Sequence, residues 1–363
     1  MRPDPLAHRS ELLDCIRAVA IVMVLIFHVA TRYPPDSLDP VAWFFWKNGF
    51  LGVDMFFPLS GFLITRFLLS KDRMSRVGPA FFLRRIFRII PLYYAAVGLY
   101  ILASIATGVD QETFANIWGP LTFTTGWYIF IYGAEAVPYQ VTWSLSVEEL
   151  AYVLFGAVAW VARRHFTLFI IICCLVSVVL RTWLYAQGAE EIHFFPAARL
   201  DAIAYGGLTA ILMRDHGGRS LLWLLGLLAA ASLFALTGEA ASKAISLTQI
   251  PVVICCIIVI FETALKPFRA AWLRPIALYG FYSYFIYLFH FFNVYLLFEI
   301  AERMGMPLPS LWLMTGLVMI LTYLQAVLSY RYFEGPLMQY GRRLEGRLLS
   351  KRANSPQNTM PGQ

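Results

Sequence analysis

Arg17 and His28 stand 11 residues apart within one long apolar run. Eleven residues make almost three helical turns, so the two side chains share a helix face about 16 Å apart along the axis. An ionisable group inside a membrane span costs a few kcal/mol and by default marks an interior site. An imidazole in such a place can act as general base or nucleophile. The bland alternative is that Arg17 snorkels to the headgroups and His28 is an interfacial residue. The second apolar run begins near Asp54. A carboxylate beside an imidazole fixes its tautomer and stabilises the imidazolium, so Asp54 is the expected partner of His28. The alternative for Asp54 is a carboxylate satisfied by backbone or water at a helix mouth.

Other polar groups interrupt the apolar runs. Pro58 followed by Ser60-Gly61 predicts a kink that exposes backbone groups, or else close helix packing through small residues. Trp143-Ser144-Leu145-Ser146-Val147-Glu148-Glu149 opens a later run. Adjacent glutamates project about 100° apart on a helix. Glu148 suits a helix N-terminus, which leaves Glu149 as the inward carboxylate and Ser146 as a lining residue. Arg199 and Asp201 read either as site-lining groups or as a local ion pair. His290 sits in the middle of the ninth run, where a lone histidine is more often a satisfied interior group than a catalyst. Arg84, Arg85 and Arg88 cluster beside Pro91. They suit anionic headgroups, and equally a phosphate, which guanidinium binds bidentately. Arg331 and Glu334 close the tenth run on the same side, where Arg331 joins Arg17, Arg84, Arg85 and Arg88 as an expected donor-binding group.

These groups need apolar helices to hold them, and the composition supplies them. The 363 residues are 59% apolar and 14% charged, against roughly 45–50% and about 25% in soluble domains. Mean hydropathy is +0.65. A soluble core could not hide 29 Phe, 19 Tyr and 10 Trp behind so few charges. Disordered chains, nucleic-acid-binding domains and ordinary soluble enzymes are excluded. Ten runs are long enough to span a bilayer: about 12–30, 49–69, 88–107, 143–162, 166–187, 195–213, 220–237, 247–265, 276–299 and 311–333. The stretch 113–132, broken by Gly119-Pro120 and Gly126, reads as a re-entrant or interfacial segment. With ten spans, one side collects 20 Lys and Arg and the other four, which by the positive-inside rule places both termini in the cytoplasm. The expected architecture is an all-α polytopic membrane bundle over residues 12–340. A short cytoplasmic tail (1–11) precedes it, and a basic, then polar, frayed tail (341–363) follows. The net charge of +7 is then topological, with the bilayer rather than nucleic acid as its partner. The five cysteines lie in apolar runs and read as small buried hydrophobes, and no spacing suggests a metal site. A phosphate-bearing donor on the basic side and an acceptor on the other fit this polarity. A proton-coupled transporter would fit it too.

The motifs discriminate further. Leu13-Asp14-Cys15-Ile16-Arg17 with His28 comes first, then Gly52-Val53-Asp54-Met55-Phe56-Phe57-Pro58-Leu59-Ser60-Gly61. Arg84-Arg85-Ile86-Phe87-Arg88, Thr142-Trp143-Ser144-Leu145-Ser146-Val147-Glu148-Glu149 and Arg199-Leu200-Asp201-Ala202 follow. Ser283-Tyr284-Phe285-Ile286-Tyr287-Leu288-Phe289-His290 and Ser329-Tyr330-Arg331-Tyr332-Phe333-Glu334 complete the order. Together, across about residues 10–340, they make the chain resemble the acyltransferase 3 family of integral-membrane O-acyltransferases. The resemblance implies ten spans in the cytoplasmic (inner) membrane. It implies transfer of an acyl group, usually acetyl, from cytoplasmic acyl-CoA to an extracytoplasmic hydroxyl of a glycan or small molecule. It makes His28 the catalytic residue and Arg17 its partner near the donor. Arg84, Arg85 and Arg88 would hold the CoA phosphates, and Glu149 matches the family's carboxylate. Pro58, Leu150-Ala151 and Phe289 depart from the usual pattern. Many relatives carry a fused hydrolase-like acyl-transfer domain; its expected absence here leaves acylation to the membrane domain or to a separate periplasmic partner. Two rivals remain: a transporter or flippase of a lipid-linked glycan, and an enzyme acylating a cytoplasmic natural product. A transporter would be supported by paired broken helices in two repeated halves, and no internal repeat is detected.

Overall fold

The computed structural model describes residues 10–70, 79–108, 114–266 and 270–353. Among these the regular structure is helical, with no strand. In the first part of the chain these are α1 (Glu11–Ala30), α2 (Pro40–Asn48), α3 (Leu51–Leu69), α4 (Pro79–Ala106), α5 (Trp118–Leu121), α6 (Thr125–Tyr132) and α7 (Trp143–Val161). Then come α8 (Phe166–Ala186), α9 (Pro196–His216), α10 (Ser220–Ala235) and α11 (Glu239–Thr263). The last are α12 (Leu273–Phe281), α13 (Ser283–Arg303), α14 (Leu311–Ser329) and α15 (Gly335–Ala353). Nine helical stretches among the described residues are long and apolar enough to cross a membrane. Their outward surfaces carry exposed Leu102, Val179, Leu222, Leu233 and Ile320, a surface suited to hydrocarbon rather than water.

The count differs from ten in one place. The runs at 195–213 and 220–237 are the two helices α9 and α10, which a 3-10 turn at Gly217–Arg219 joins without a gap, so that they count as one apolar stretch, Pro196–Ala235, among the nine. Gly217 there has φ +56°, a conformation glycine adopts without cost. On its own, α10 has 16 residues, or about 24 Å, short of a ~30 Å hydrocarbon core. The ninth run is also displaced. It breaks at Tyr282, so α12 ends there and the long helix starts at Ser283. The basic part of the tail after Tyr340 is helical to Ala353, and the polar part, 354–363, lies outside the described residues, as does the N-terminal tail before residue 10. The helical part packs on the start of α4, with the Tyr340 and Phe87 rings 5.5 Å apart and Glu345 buried.

Two helices begin well inside the bundle, and this sets the depth of the polar groups. A Cβ on Gly52, at the start of α3, would lie 2.3 Å from the Ala20 carbonyl oxygen. Thus α3 starts level with the middle of α1, and α2 covers the space above. Asp39 caps α2, accepting from the amides of Val41 (2.9 Å) and Ala42 (3.0 Å). It also accepts from the Trp312 indole (2.8 Å), tying α2 to the start of α14. The helix α3 is continuous through Pro58, Ser60 and Gly61, and of the two readings of this motif the structure shows the close packing of small residues. Gly61 meets α9: its Cβ would fall 1.8 Å from the Ile203 carbonyl, and one on Gly206 would fall 2.0 Å from that of Pro58. This reciprocal approach is small-residue packing of the kind membrane helices use in place of a hydrophobic drive.

The helix α7 likewise starts deep, and the segment before it fills the space above. Tyr93, 13 residues before the end of α4, donates to the Pro120 carbonyl (2.5 Å), and Tyr94 donates to Leu121 (2.8 Å). Thirteen residues of helix measure about 20 Å, so the segment around α5 dips well below the top of α4, as a re-entrant element does. Thr125 pairs with Thr142 (2.7 Å), and the Gly126 amide donates to Ser146 Oγ (3.2 Å). Every backbone group at that depth needs a protein partner; these contacts supply several.

Candidate active site

A partly open cavity of about 150 Å³ lies among α1, α3, α4, α7 and α13. Its polar lining includes Arg17, Ser60, Arg85, Arg88, Ser144 and Glu148, with Ser283, Tyr284 and Tyr287 from α13. The Arg17 guanidinium also reaches Asp14 at 2.5 Å. Arg85 is clamped by Glu149, Nη2 to Oε1 at 2.9 Å, with its guanidinium carbon over the Tyr152 ring. Ser60 Oγ donates to Glu148 Oε1 at 3.3 Å across the cavity.

The adjacent glutamates therefore exchange their expected parts. Glu148 faces the cavity, and Glu149 holds an arginine from the side. Arg17, Arg85 and Arg88 converge on one cavity. Arg331 is exposed, its guanidinium carbon 5.2 Å from the Tyr332 ring, and does not line it. The Arg84 side chain lies outside the described residues. Ser146 holds the re-entrant segment instead of lining the site, and Gly61 packs on α9, whereas Ser60 of the same motif does face the cavity.

Asp54 does not meet His28. Its Oδ1 takes a hydrogen bond from Arg199 Nη2, with both side chains fully buried. Since α3 starts level with Ala20, eight residues before His28, Asp54 lies about 12 Å or more below the imidazole. Asp201 is likewise taken up, by a fully buried pair to Arg181 (2.6 and 2.7 Å) that Thr248 completes. These ion pairs tie α9 to α3 and to α8; they are cross-links, not lining groups.

His28 has a different partner. Its Nδ1 lies 3.2 Å from Nε2 of His290 and 2.9 Å from the Val24 carbonyl oxygen. His290 is fully buried, and its Nδ1 faces the carbonyls of Tyr287 (2.7 Å) and Ile286 (3.2 Å). The Tyr287 ring lies 5.9 Å from that of His290 and also lines the cavity. Its hydroxyl accepts from Ser144 Oγ (2.8 Å) and donates to the Val141 carbonyl (2.6 Å). The cavity thus reaches from the arginines to Tyr287, one side chain short of the two histidines. His28 itself is half-buried and is not on the cavity wall.

Sequence reasoning missed Tyr287, Ser144 and Ser283 as lining groups, although all three stand inside the motifs. It also missed His193, in the turn between α8 and α9, whose ring meets Trp143 (4.9 Å) and Phe50 (5.3 Å). Burial, with the Arg181 charge nearby, pushes that imidazole down to about 4, so it is neutral near pH 7. Among the described residues no group of three His, Cys, Asp or Glu side chains gathers at metal-binding distance.

A family model described as an acyltransferase domain matches residues 11–331. The peptidoglycan O-acetyltransferase OatA of Listeria monocytogenes is 24% identical over 364 residues, covering 91% of this chain and 56% of that protein. The O-acetyltransferase OatA of Staphylococcus aureus is 23% identical over 361 residues, covering 91% and 57%. The chain thus spans little more than half the length of these relatives. No solved structure gives a significant match. The family match runs from the first helix through Arg331 and takes in the cavity and both histidines, and on that ground the chain belongs to the acyltransferase 3 family.

Proposed function

We propose that this protein is a multi-pass membrane O-acyltransferase. It moves an acyl group, acetyl in the simplest case, from cytoplasmic acyl-CoA to a hydroxyl of a carbohydrate acceptor on the opposite side. The observation that carries this reading is the continuity from an arginine-lined cavity, through Tyr287, to the paired histidines. Arg88, Arg85 and Arg17 offer guanidinium groups to the CoA phosphates. The pantetheine arm extends past Ser60 and Glu148 toward Tyr287. Tyr284 donates to the Ile89 carbonyl beside Arg88 (3.1 Å), and from Tyr284 to His290 is six residues, or about 9 Å of helix. An extended arm covers that span.

At the thioester the acceptor hydroxyl gives its proton to His28. The oxygen attacks the carbonyl carbon, the C–S bond breaks, and the proton passes to the departing thiolate. If His28 attacks first, its ring nitrogen bonds the acyl carbon as the C–S bond breaks and CoA thiolate leaves; the acceptor oxygen then attacks the same carbon, the N–C bond breaks, and the hydroxyl proton ends on the thiolate. The name of the Listeria relative, a peptidoglycan O-acetyltransferase, supports a cell-wall glycan as the acceptor class.

The test is thiol release. Purified protein in lipid is given acetyl-CoA with and without glycan fragments, and free CoA thiol is followed. Acceptor-dependent release that His28→Ala abolishes supports the reading. Full transfer by His28→Ala would end it, and a protein that moves glycan across vesicles with no thiol release is a transporter. Labelled acetyl-CoA without acceptor separates the two routes: label retained on His28 marks the relay.

A further inference from the structure

We propose that His290 is a positioning residue, which holds His28 in its Nδ1–H tautomer and leaves His28 Nε2 as the reacting nitrogen. This rests on the reading of His28 as the group that takes the acceptor's proton or the acyl carbon. The argument follows from which atoms can donate. His290 Nδ1 faces two carbonyl oxygens, of Tyr287 at 2.7 Å and Ile286 at 3.2 Å. Carbonyl oxygens only accept, so this nitrogen carries hydrogen, and in a neutral ring its Nε2 carries a lone pair. That lone pair points at His28 Nδ1, 3.2 Å away. His28 Nδ1 in turn lies 2.9 Å from the Val24 carbonyl, again an acceptor only. A hydrogen on His28 Nδ1, shared between the Val24 oxygen and the His290 lone pair, satisfies all four contacts with two neutral rings. The opposite tautomer of His28 would bring three lone pairs together.

The surroundings keep the arrangement from relaxing. His290 has no exposed surface and cannot turn to find water. The Phe27 ring meets the His28 ring edge-on at 5.0 Å, and the two imidazoles meet at 62° with centroids 4.8 Å apart. When His28 Nε2 takes up a proton, Nδ1 becomes a stronger donor, and the His290 lone pair is already aimed at it. A neutral histidine thereby does for His28 what a carboxylate does in many catalytic triads, while the expected carboxylate, Asp54, is bound to Arg199. The dyad needs no charge near the centre of the bundle, where a second ion would be costly.

Two readouts test this, one without any variant of His290. Protein labelled with 15N in its histidine rings, with His28 signals assigned by their loss in His28→Ala, should show His28 protonated at Nδ1 and bare at Nε2. In His290→Leu the signal should move toward a mixture of tautomers. The turnover number for thiol release should fall roughly 100-fold, as general-base losses do, with the KM for acetyl-CoA within about twofold. His290→Gln, whose amide oxygen can take the place of the Nε2 lone pair, should recover much of that loss; a merely structural role would lower yield and thermal stability without this split. A wild-type His28 protonated at Nε2, or a His290→Leu protein with full turnover, would overturn the assignment. A protein that shows the stated tautomer and releases no thiol from acetyl-CoA upholds the dyad and refutes the donor reading instead.

Discussion

Arg85 and Glu149 form an ion pair at 2.9 Å on the flank of the cavity, while Glu148, the preceding residue, turns into it and takes a hydrogen bond from Ser60. The pair is mostly shielded, with side-chain exposures of 14% and 25%. It fixes a long, flexible cation in one place before any phosphate arrives, lowering the ordering cost of binding. Glu149→Gln should therefore raise the KM for the acyl donor roughly fivefold, the effect of about 1 kcal/mol for a partly exposed pair, and leave turnover nearly unchanged. Glu148→Gln should do the reverse, lowering turnover about tenfold or more through the altered charge beside the thioester path. Steady-state kinetics of thiol release separate the two; equal effects on both parameters would remove the distinction.

The same pair of glutamates marks the boundary of what the sequence could reveal. The 100° spacing announced that only one of them faces inward, and the choice of Glu149 failed because α7 starts deep, which puts its first turn, with Glu148, against the cavity. Helix identity and the arginine cluster were readable, since apolar length and charge placement act locally. His28 and His290 are separated by 262 residues, and nothing in either run signals the other. The Asp54 expectation failed for a related reason. Composition places the start of a run at the membrane edge, whereas Gly52 against Ala20 sets the start of α3 about 12 Å below the level of His28. Gly61 and Ser60 sit side by side in one motif, yet one packs and the other lines; only the position of α9 tells them apart.

The buried Asp54–Arg199 pair predicts a particular pattern of stability. Both side chains have no exposed surface, so removing either one strands the other charge in an apolar interior. Asp54→Ala and Arg199→Ala should each destabilise the protein by about 3–5 kcal/mol. The double replacement Asp54→Leu with Arg199→Leu should cost far less than the two single losses together. Unfolding in detergent, read as a double-mutant cycle, gives the coupling directly. Additive single and double effects would show that the two charges are solvated independently.

Asp39 gives a pH dependence at the bundle surface. Its carboxylate lies below the ordinary carboxylate range because the Ala42 amide, the Trp312 indole and the Val41 amide donate to the ionised form. A value lowered in the folded state means that the contribution to stability is complete above the ordinary carboxylate pKa. It is lost as pH falls through the lowered folded value. Acidification below about pH 4 should loosen α2 from α14 and alter the emission of Trp43, Trp46 and Trp312, and Asp39→Asn should remove much of that pH response. An unchanged acid transition in Asp39→Asn would assign it to another carboxylate.

Gly61 tests whether the approach of α3 to α9 sets the shape of the cavity. A Cβ there falls 1.8 Å from the Ile203 carbonyl oxygen, a backbone atom that cannot swing aside as a side-chain tip does. Gly61→Ala must push the helices apart, moving Ser60 and the opposite face of α3 that lines the cavity. The cost should exceed about 1–3 kcal/mol, the usual price of overpacking, because backbone rather than side chain must give way. Thermal unfolding should shift down, and the surviving folded protein should show a raised donor KM as Ser60 moves relative to Glu148. Ala at Gly98, where nothing lies within 4 Å, is the matched control and should leave both measurements unchanged. If Gly61→Ala behaved like Gly98→Ala, the helix contact would not be what holds the cavity wall in place.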